Sequence, residues 1–230
     1  MRIAIDGPSA SGKSAAGSRV AARLGYPFVD TGAMYRAVTW LALRRGIEPT
    51  DVDALTALAE STVLRIGPPP PDGREACSIS VDGVDATPFL RDAAVERAVS
   101  PVSAVAGVRR ALVRLQREAA PADVVMAGRD IGTVVLPDAE LKVFLVASLG
   151  VRTARRQEEL AQKGREETPV QVRADLERRD ELDSGRAVSP LRPAKDAAIL
   201  DTDTLTLDGV VEQIVRLAGE RGAAEVQPAR

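Results

Sequence analysis

Eight residues near the N-terminus restrict this chain more than any other part of it. Gly7-Pro8-Ser9-Ala10-Ser11-Gly12-Lys13-Ser14 fits the pattern G-x-x-x-x-G-K-[ST]. A β-forming run, Arg2 to Asp6, leads into it, and a helical pattern, Lys13 to Leu24, leads out. In that setting the glycines let the backbone wrap closely, so that successive N–H groups point inward at phosphate oxygens. The helix that follows adds the positive end of its dipole. Lys13 is then placed to reach β- and γ-phosphates, and Ser14 to ligate Mg²⁺. The plainer alternative is a glycine-rich βα turn that holds no ligand.

The rest of the pattern suits such a loop. Short apolar runs at Pro27 to Asp30, Asp123 to Ala127, Leu141 to Ala147 and Ala197 to Asp201 read, with Arg2 to Asp6, as buried parallel strands. Helical patterns separate them. Ala33 to Arg45 carries Met34, Val38 and Leu41 on one face and has Gly46 to end it, while Val105, Val108, Leu112 and Leu115 stripe another helix. The alternation predicts an α/β fold: a doubly wound, five-stranded parallel sheet flanked by helices, with ligands at the carboxyl ends of the strands.

Composition narrows the chemistry. The 230 residues contain no histidine and one cysteine, Cys77. Ser-His nucleophilic catalysis and the commonest zinc ligand are therefore absent together. A single cysteine makes no internal disulfide, which suits a reducing cytoplasm. A formal net charge of −2 argues against a surface that coats nucleic acid. No apolar run approaches the ~18 residues that span a bilayer. Carboxylates, lysine, arginines and backbone amides must carry any reaction.

Two stretches interrupt the alternation. Val63 to Ile66 and Ser78 to Val81 alternate like strands, with the Pro68 to Pro71 tract between them and Asp82-Gly83 after, which predicts a small antiparallel insertion with a stiff proline loop. Residues 152–186 are densely charged, with both signs balanced. A solvated helical hairpin is one reading of them, and an arginine-bearing lid is the other. Residues 219–230 are expected to fray.

Three groups of polar residues fall where a second substrate would sit. Asp30-Thr31-Gly32-Ala33-Met34-Tyr35-Arg36 follows the second strand. Thr31 can simply cap the next helix and Arg36 can snorkel from it, but a hydroxyl, a phenol and an arginine beside a phosphate loop also make a phosphate clamp. Gly128-Arg129-Asp130 ends the third strand and faces the same crevice, or forms an ordinary surface ion pair. Arg179, Asp183 and Arg186 recur at helical spacing, and periodicity alone favours a solvated network.

Taken together these motifs resemble bacterial cytidylate kinase over nearly the whole chain. The resemblance rests on Ile5-Asp6-Gly7-Pro8, on Asp30 to Arg36, and on Gly128-Arg129-Asp130-Ile131-Gly132-Thr133-Val134-Val135 running to Pro137-Asp138-Ala139. Arg179-Asp180, Asp183-Ser184, Arg186, Pro190-Leu191 and Asp196-Ala197 complete it. It implies a P-loop kinase with a core of residues 1–30, 109–148 and 187–218. It further implies a monophosphate-binding region at 31–108, with a β-rich insertion at about 62–98, and a short helical lid at 149–186.

The resemblance also implies roles. Residues Gly7 to Ser14, with Arg152 and Arg156, would meet ATP, and Ser14 the Mg²⁺. Thr31, Tyr35, Arg36 and Arg129 would hold the monophosphate's phosphate. Ser100, Arg109 and Asp130 would read the cytosine, and Arg179 and Asp183 would hold the sugar. Lys13, Arg129 and Arg186 would carry catalysis. The expected enzyme is a cytoplasmic monomer that passes the γ-phosphoryl of ATP to CMP or dCMP. Rival readings are a P-loop kinase for adenylate, uridylate or a sugar, and a nucleotide-binding regulator without turnover.

Overall fold

Arg2–Asp6 forms β1, whose Ile3, Ala4 and Ile5 are wholly buried, and the chain leaves it directly into the phosphate-loop motif. The computed structural model describes residues 1–70, 75–162 and 164–224. Lys13–Leu24 is α1, Phe28–Asp30 is β2 and Thr31–Arg44 is α2. Gly46, at φ 68, ends α2 as expected: its N–H and that of Ile47 bond back to Leu43 and Ala42. Val52–Ser61 is α3.

Leu64–Gly67 (β3), Ser78–Val81 (β4) and Val84–Asp85 (β5) make a separate antiparallel sheet in that order. This is the β-rich insertion read from the sequence. Asp82 and Gly83 both take positive φ, 50 and 80, which is the turn that a two-residue hairpin needs. Alternate residues Cys77, Ile79 and Val81 are buried and join the core formed by Met34, Val38 and Leu41 of α2. Burial pushes the Cys77 thiol up to about 12, so it stays protonated, in keeping with an inert packing role. Of the expected proline loop, Pro71, Asp72 and Gly73 lie outside the described residues.

The chain then forms α4 (Ala93–Ala104) and α5 (Ala106–Glu118), followed by β6 (Val124–Gly128) and β7 (Leu141–Val146). Leu149–Gln162 (α6) and Pro169–Gly185 (α7) make a helical hairpin. Ala198–Asp201 (β8) and Leu207–Gly219 (α8) complete the fold. Of the tail expected to fray, residues 225–230 lie outside the described residues. No helix among the described residues is long and apolar enough to cross a membrane.

The main sheet runs β2-β6-β1-β7-β8, all parallel. The five strands match the sequence reading to within a residue at their ends. Both faces are covered, as a parallel sheet requires. Ile3, Ile5, Val125 and Val143 pack toward α1 and α8, while Ala4, Val124 and Met126 pack toward the helices of the other face. Central β1 has β6 on one side and β7 on the other, so the chain changes direction there and opens a crevice at its carboxyl end.

On that second face α3 and α5 approach closely at Gly107. A Cβ added there would lie 2.7 Å from the Cβ of Thr56, and 2.1 Å from its Oγ1. Both positions are fixed by helical backbone, so the helices would have to separate. Gly107→Ala is expected to cost about 1–2 kcal/mol in urea denaturation, because overpacking outweighs alanine's better helix propensity. A variant as stable as the parent would mean that the α3–α5 contact yields freely.

Candidate active site

The phosphate loop is shaped for inward-pointing amides. Gly12 is left-handed at φ 92 and caps α1, and Ala10, a residue with a Cβ, is also left-handed at φ 59. Such a conformation in alanine is strained and marks a backbone held for a purpose. Gly7 has no room for a side chain, since a Cβ would stand 2.4 Å from the carbonyl oxygen of Leu145. Lys13 is 7% exposed and donates from Nζ to the carbonyl of Pro8 at 2.5 Å and to Ser11 Oγ at 3.3 Å. Burial, then the nearby Arg129, pulls its pKa well below the usual lysine range. Arriving phosphate would reverse both effects.

A cleft of about 580 Å³ opens beside this loop. Ser9, Ala10, Gly12, Lys13 and Ser14 line it on the loop side. Thr31, Tyr35 and Arg36 line it from α2, Ser100 from α4, Arg109 from α5, and Arg129 with Asp130 from the end of β6. Arg156 enters from α6, and Arg179, Asp183 and Arg186 from α7 and its end. The fold thus brings together all the residues singled out from the sequence except Gly7, Pro8, Ser11 and Arg152, which stand behind the lining. Arg152 is buried there, donating from Nη1 to Asp180 at 2.6 Å and to the carbonyl of Ser9 at 3.4 Å.

Three plain alternatives fail against this geometry. Thr31 is not the helix cap: the Asp30 side chain accepts from the Ala33 amide, whereas the Thr31 hydroxyl donates to the carbonyl of Ala127 at 2.9 Å. Asp30 precedes Thr31 in the extended conformation that a cap needs, so it takes the role. Arg179 and Asp183 are not solvated; each is 7% exposed, because α7 packs against α4 as well as α6. Asp130 is not at the surface. It is 3% exposed and accepts from Arg109 Nη2 at 2.5 Å.

Charge is concentrated and only partly neutralised. Asp183 accepts from Arg129 Nε at 2.7 Å and lies 3.4 Å from Arg186 Nη1. Burial works to raise the Asp183 carboxyl, but Arg129 and Arg186 outweigh it and hold it below the usual carboxylate range. Arg109 lies over the Tyr35 ring, with its central carbon 5.3 Å from the ring centroid. Arg36 has no ion-pair partner among the described residues, and its buried Nε has no hydrogen-bond acceptor. Burial, then Arg91, brings the Arg36 pKa down to about 10. Arg186 Nη2 is likewise buried and unpartnered. Arg109 Nε and Arg179 Nε also lack a hydrogen-bond acceptor, although Arg179 lies in an ion pair with Asp175. Buried donors without acceptors are costly, and arginines in that condition around one cleft call for an anion.

Sequence reasoning left several participants without a role. Asp30 accepts from Ser14 Oγ at 2.6 Å, and both side chains line the cleft. Glu75, Arg91 and Glu159 also line it, from the insertion side and from α6. These last three belong to separate elements that only the fold brings together, and no local motif marks them. Asp6, at the end of β1, accepts from the amides of Ile131 and Gly132, both at 2.8 Å. It thereby ties the single π-helical turn Ile131–Val135, next to Arg129 and Asp130, to the base of the phosphate loop.

Burial pushes the Asp6 carboxyl from 3.8 up to about 6, against the two amide bonds, which lower it. The folded protein therefore holds this proton more tightly than the unfolded chain. Its contribution favours the fold below about pH 4 and is lost as pH rises through about 6, at up to ~1.4 kcal/mol per pH unit between them. Asp6→Asn should remove this component from urea melts taken across roughly pH 4 to 7. A slope identical to the parent's would assign the titration to another group.

No group of three or more His, Cys, Asp or Glu suited to a metal ion occurs among the described residues. Mg²⁺ needs no such cage, since it commonly takes one or two protein oxygens with water and substrate phosphates. The hard-oxygen pair of Ser14 and Asp30, beside the loop, fits an ion of that kind.

Comparison with known proteins identifies the family. A family model described as cytidylate kinase matches residues 3–220. The cytidylate kinase of Nocardia farcinica is 48% identical over 222 residues, covering 95% of this chain and 94% of that protein. That of Desulfitobacterium hafniense is 44% identical over 222 residues, covering 96% and 94%. A bifunctional pantoate ligase/cytidylate kinase from Synechococcus sp. is 50% identical over 216 residues, and there this chain spans 94% of itself but only 40% of the relative. The match thus extends over the phosphate loop, the other elements that line the cleft and both helices of the hairpin, and the chain belongs to the cytidylate kinase family.

Proposed function

We propose that this protein transfers the γ-phosphoryl group of ATP to CMP or dCMP, giving ADP and CDP or dCDP. The observation that carries this reading is the set of incompletely satisfied arginines, Arg36 and Arg186 among them, in the same cleft as the phosphate loop. A switch or motor needs one nucleotide pocket. This cleft has cations for a second anionic substrate opposite the first.

The chemistry needs no general base. The attacking oxygen belongs to a monophosphate whose second pKa is near ~6, so it is already largely ionised at neutral pH. What the chain must supply is alignment and relief of repulsion between two polyanions. In this reading the loop amides and Lys13 hold the donor phosphates, and Arg36, Arg129, Thr31 and Tyr35 hold the acceptor's. Arg186 meets the group in transit, and Arg152 and Arg156 act on the ATP side. Mg²⁺, held through Ser14 with Asp30 in support, would neutralise charge on the donor phosphates.

The base preference follows from Asp130 and Arg109. A buried carboxylate accepts from the exocyclic amine of cytosine, and a guanidinium or the Ser100 hydroxyl donates to its ring acceptors. Uracil would turn a carbonyl oxygen toward that carboxylate. Arg179 and Asp183 would hold the sugar. Residues 31–108 serve as the acceptor region and 149–186 as the lid, closing on the core formed by 1–30, 109–148 and 187–218. Closure excludes water, which would otherwise take the phosphoryl group. We further read the enzyme as a cytoplasmic monomer, which sedimentation of the native protein would check.

The test is product identification. Protein incubated with ATP, Mg²⁺ and CMP should yield ADP and CDP in equal amounts by anion-exchange chromatography. ATP consumed without CDP would refute the transfer.

A further inference from the structure

Glu96, in the first turn of α4, does not line the cleft, yet it is a carboxylate only 4% exposed. Its Oε2 pairs with Arg156 of α6 in a short contact and accepts from Arg165 Nη1, in the connection to α7, at 3.1 Å. Its backbone carbonyl accepts from Arg179 Nη2 of α7 at 2.8 Å. The other nitrogen of Arg156 donates to Glu159 at 2.8 Å. Arg156 and Arg179 line the cleft, whereas Glu96 stands behind them. One residue of α4 thus holds a side chain from each helix of the hairpin, and α4 itself packs on α2, which carries Tyr35 and Arg36.

This arrangement has a physical purpose. Arg36, Arg156, Arg165 and Arg179 are like charges gathered around Glu96; Glu159, Glu167 and Asp175 each pair with one of them from more exposed positions, and Glu96 is the enclosed anion that meets two at once. A free arginine also has many rotamers, and fixing one as substrate binds weakens whatever it does. An enclosed carboxylate that is already bonded to the guanidinium removes that cost beforehand. Through the hairpin, it also sets the distance between the lid side of the cleft and the acceptor side.

We propose that Glu96 is a positioning residue for phosphoryl transfer: it aims Arg156 into the cleft and fixes the hairpin against α4 before the substrates arrive. The proposal rests on the kinase reading above and assigns Glu96 no contact with substrate.

Glu96→Gln tests it, because glutamine keeps the size while removing the charge that holds two arginines. Arg156 stays cationic, so attraction of phosphate survives and aim is lost. The expected result is a fall in kcat of about tenfold to 100-fold, with KM for ATP and for CMP each within about threefold of the parent. In an Arg156→Ala background the same change should cost less than about threefold, since the residue it acts through is gone. A general structural role would instead subtract the same factor from both backgrounds, and that result, or an unchanged kcat, would overturn the proposal. Should Glu96→Gln lose its cooperative melt, Glu96→Asp carries the test: it keeps the charge but withdraws it by one methylene, and kcat should fall in the same direction by less. Full kcat in Arg156→Ala alone would also sink the proposal while leaving the kinase reading intact. Failure of the parent protein to form CDP would sink that reading itself.

Discussion

Lys13→Ala is expected to lower kcat for CDP formation by about 100-fold to 1000-fold, the effect of deleting one preorganised donor from a transition-state site. The side chain is enclosed, and its contacts are to the loop's own Pro8 carbonyl and Ser11 hydroxyl. Burial already acts against its charge, so the ammonium gains most when donor phosphates stand beside it. Because the folded protein bears that desolvation, alanine should leave the melting temperature close to the parent's. Activity lost together with cooperative unfolding would make Lys13 a structural residue, and near-parent activity in a folded variant would remove the phosphate-loop assignment.

Arg36→Met should separate function from stability even more clearly. Arg36 lines the cleft from α2 with a buried Nε that has no hydrogen-bond acceptor. Charge-assisted hydrogen bonds to a phosphate are worth about 1.5–3 kcal/mol, so KM for CMP should rise by roughly tenfold to 100-fold. KM for ATP should change little. Methionine fills much of the same space without a charge, and replacing an incompletely compensated buried ion by an apolar group is often neutral or stabilising. The variant is therefore expected to be a poorer enzyme and at least as stable in urea. Equal losses for ATP and CMP would contradict a dedicated acceptor clamp, and marked destabilisation would mean that Arg36 is held by the fold rather than kept for substrate.

Different kinds of signal made different parts of this protein legible. The five parallel strands are readable because each is a short apolar run closed by polar or turn residues, and both faces of the sheet are buried. The hairpin turn at Asp82-Gly83 is readable from turn chemistry alone. Helices α3, α4 and α8 escaped notice. In α4 an internal proline, Pro101, and polar residues that are buried rather than exposed blur the helical period. The charged hairpin misleads for a related reason. Arg152, Arg179 and Asp183 look like surface residues to a periodicity argument, but each is buried in an ion pair with a charged group of the fold. Glu96 and Glu159 were invisible because an acidic residue has no local signature for a partner sixty or more positions away, and Glu75 because its partner Arg91 lies across the antiparallel insertion. Asp30 was visible in its motif, but its bond to Ser14 depends on the end of β2 lying beside the start of α1.

If a phosphate loop and an arginine-rich acceptor cleft, read by Asp130 and Arg109, form a cytidine-selective monophosphate kinase, the acceptor base decides the rate. The most direct test is the steady-state kcat/KM for ADP release from ATP with Mg²⁺, measured separately with CMP, dCMP, UMP, AMP and GMP. CMP and dCMP are expected to exceed every other acceptor by at least about 100-fold, because a wrong base leaves the buried Asp130–Arg109 groups unpaired. Comparable rates with UMP or AMP, or preference for another acceptor, would contradict that selectivity.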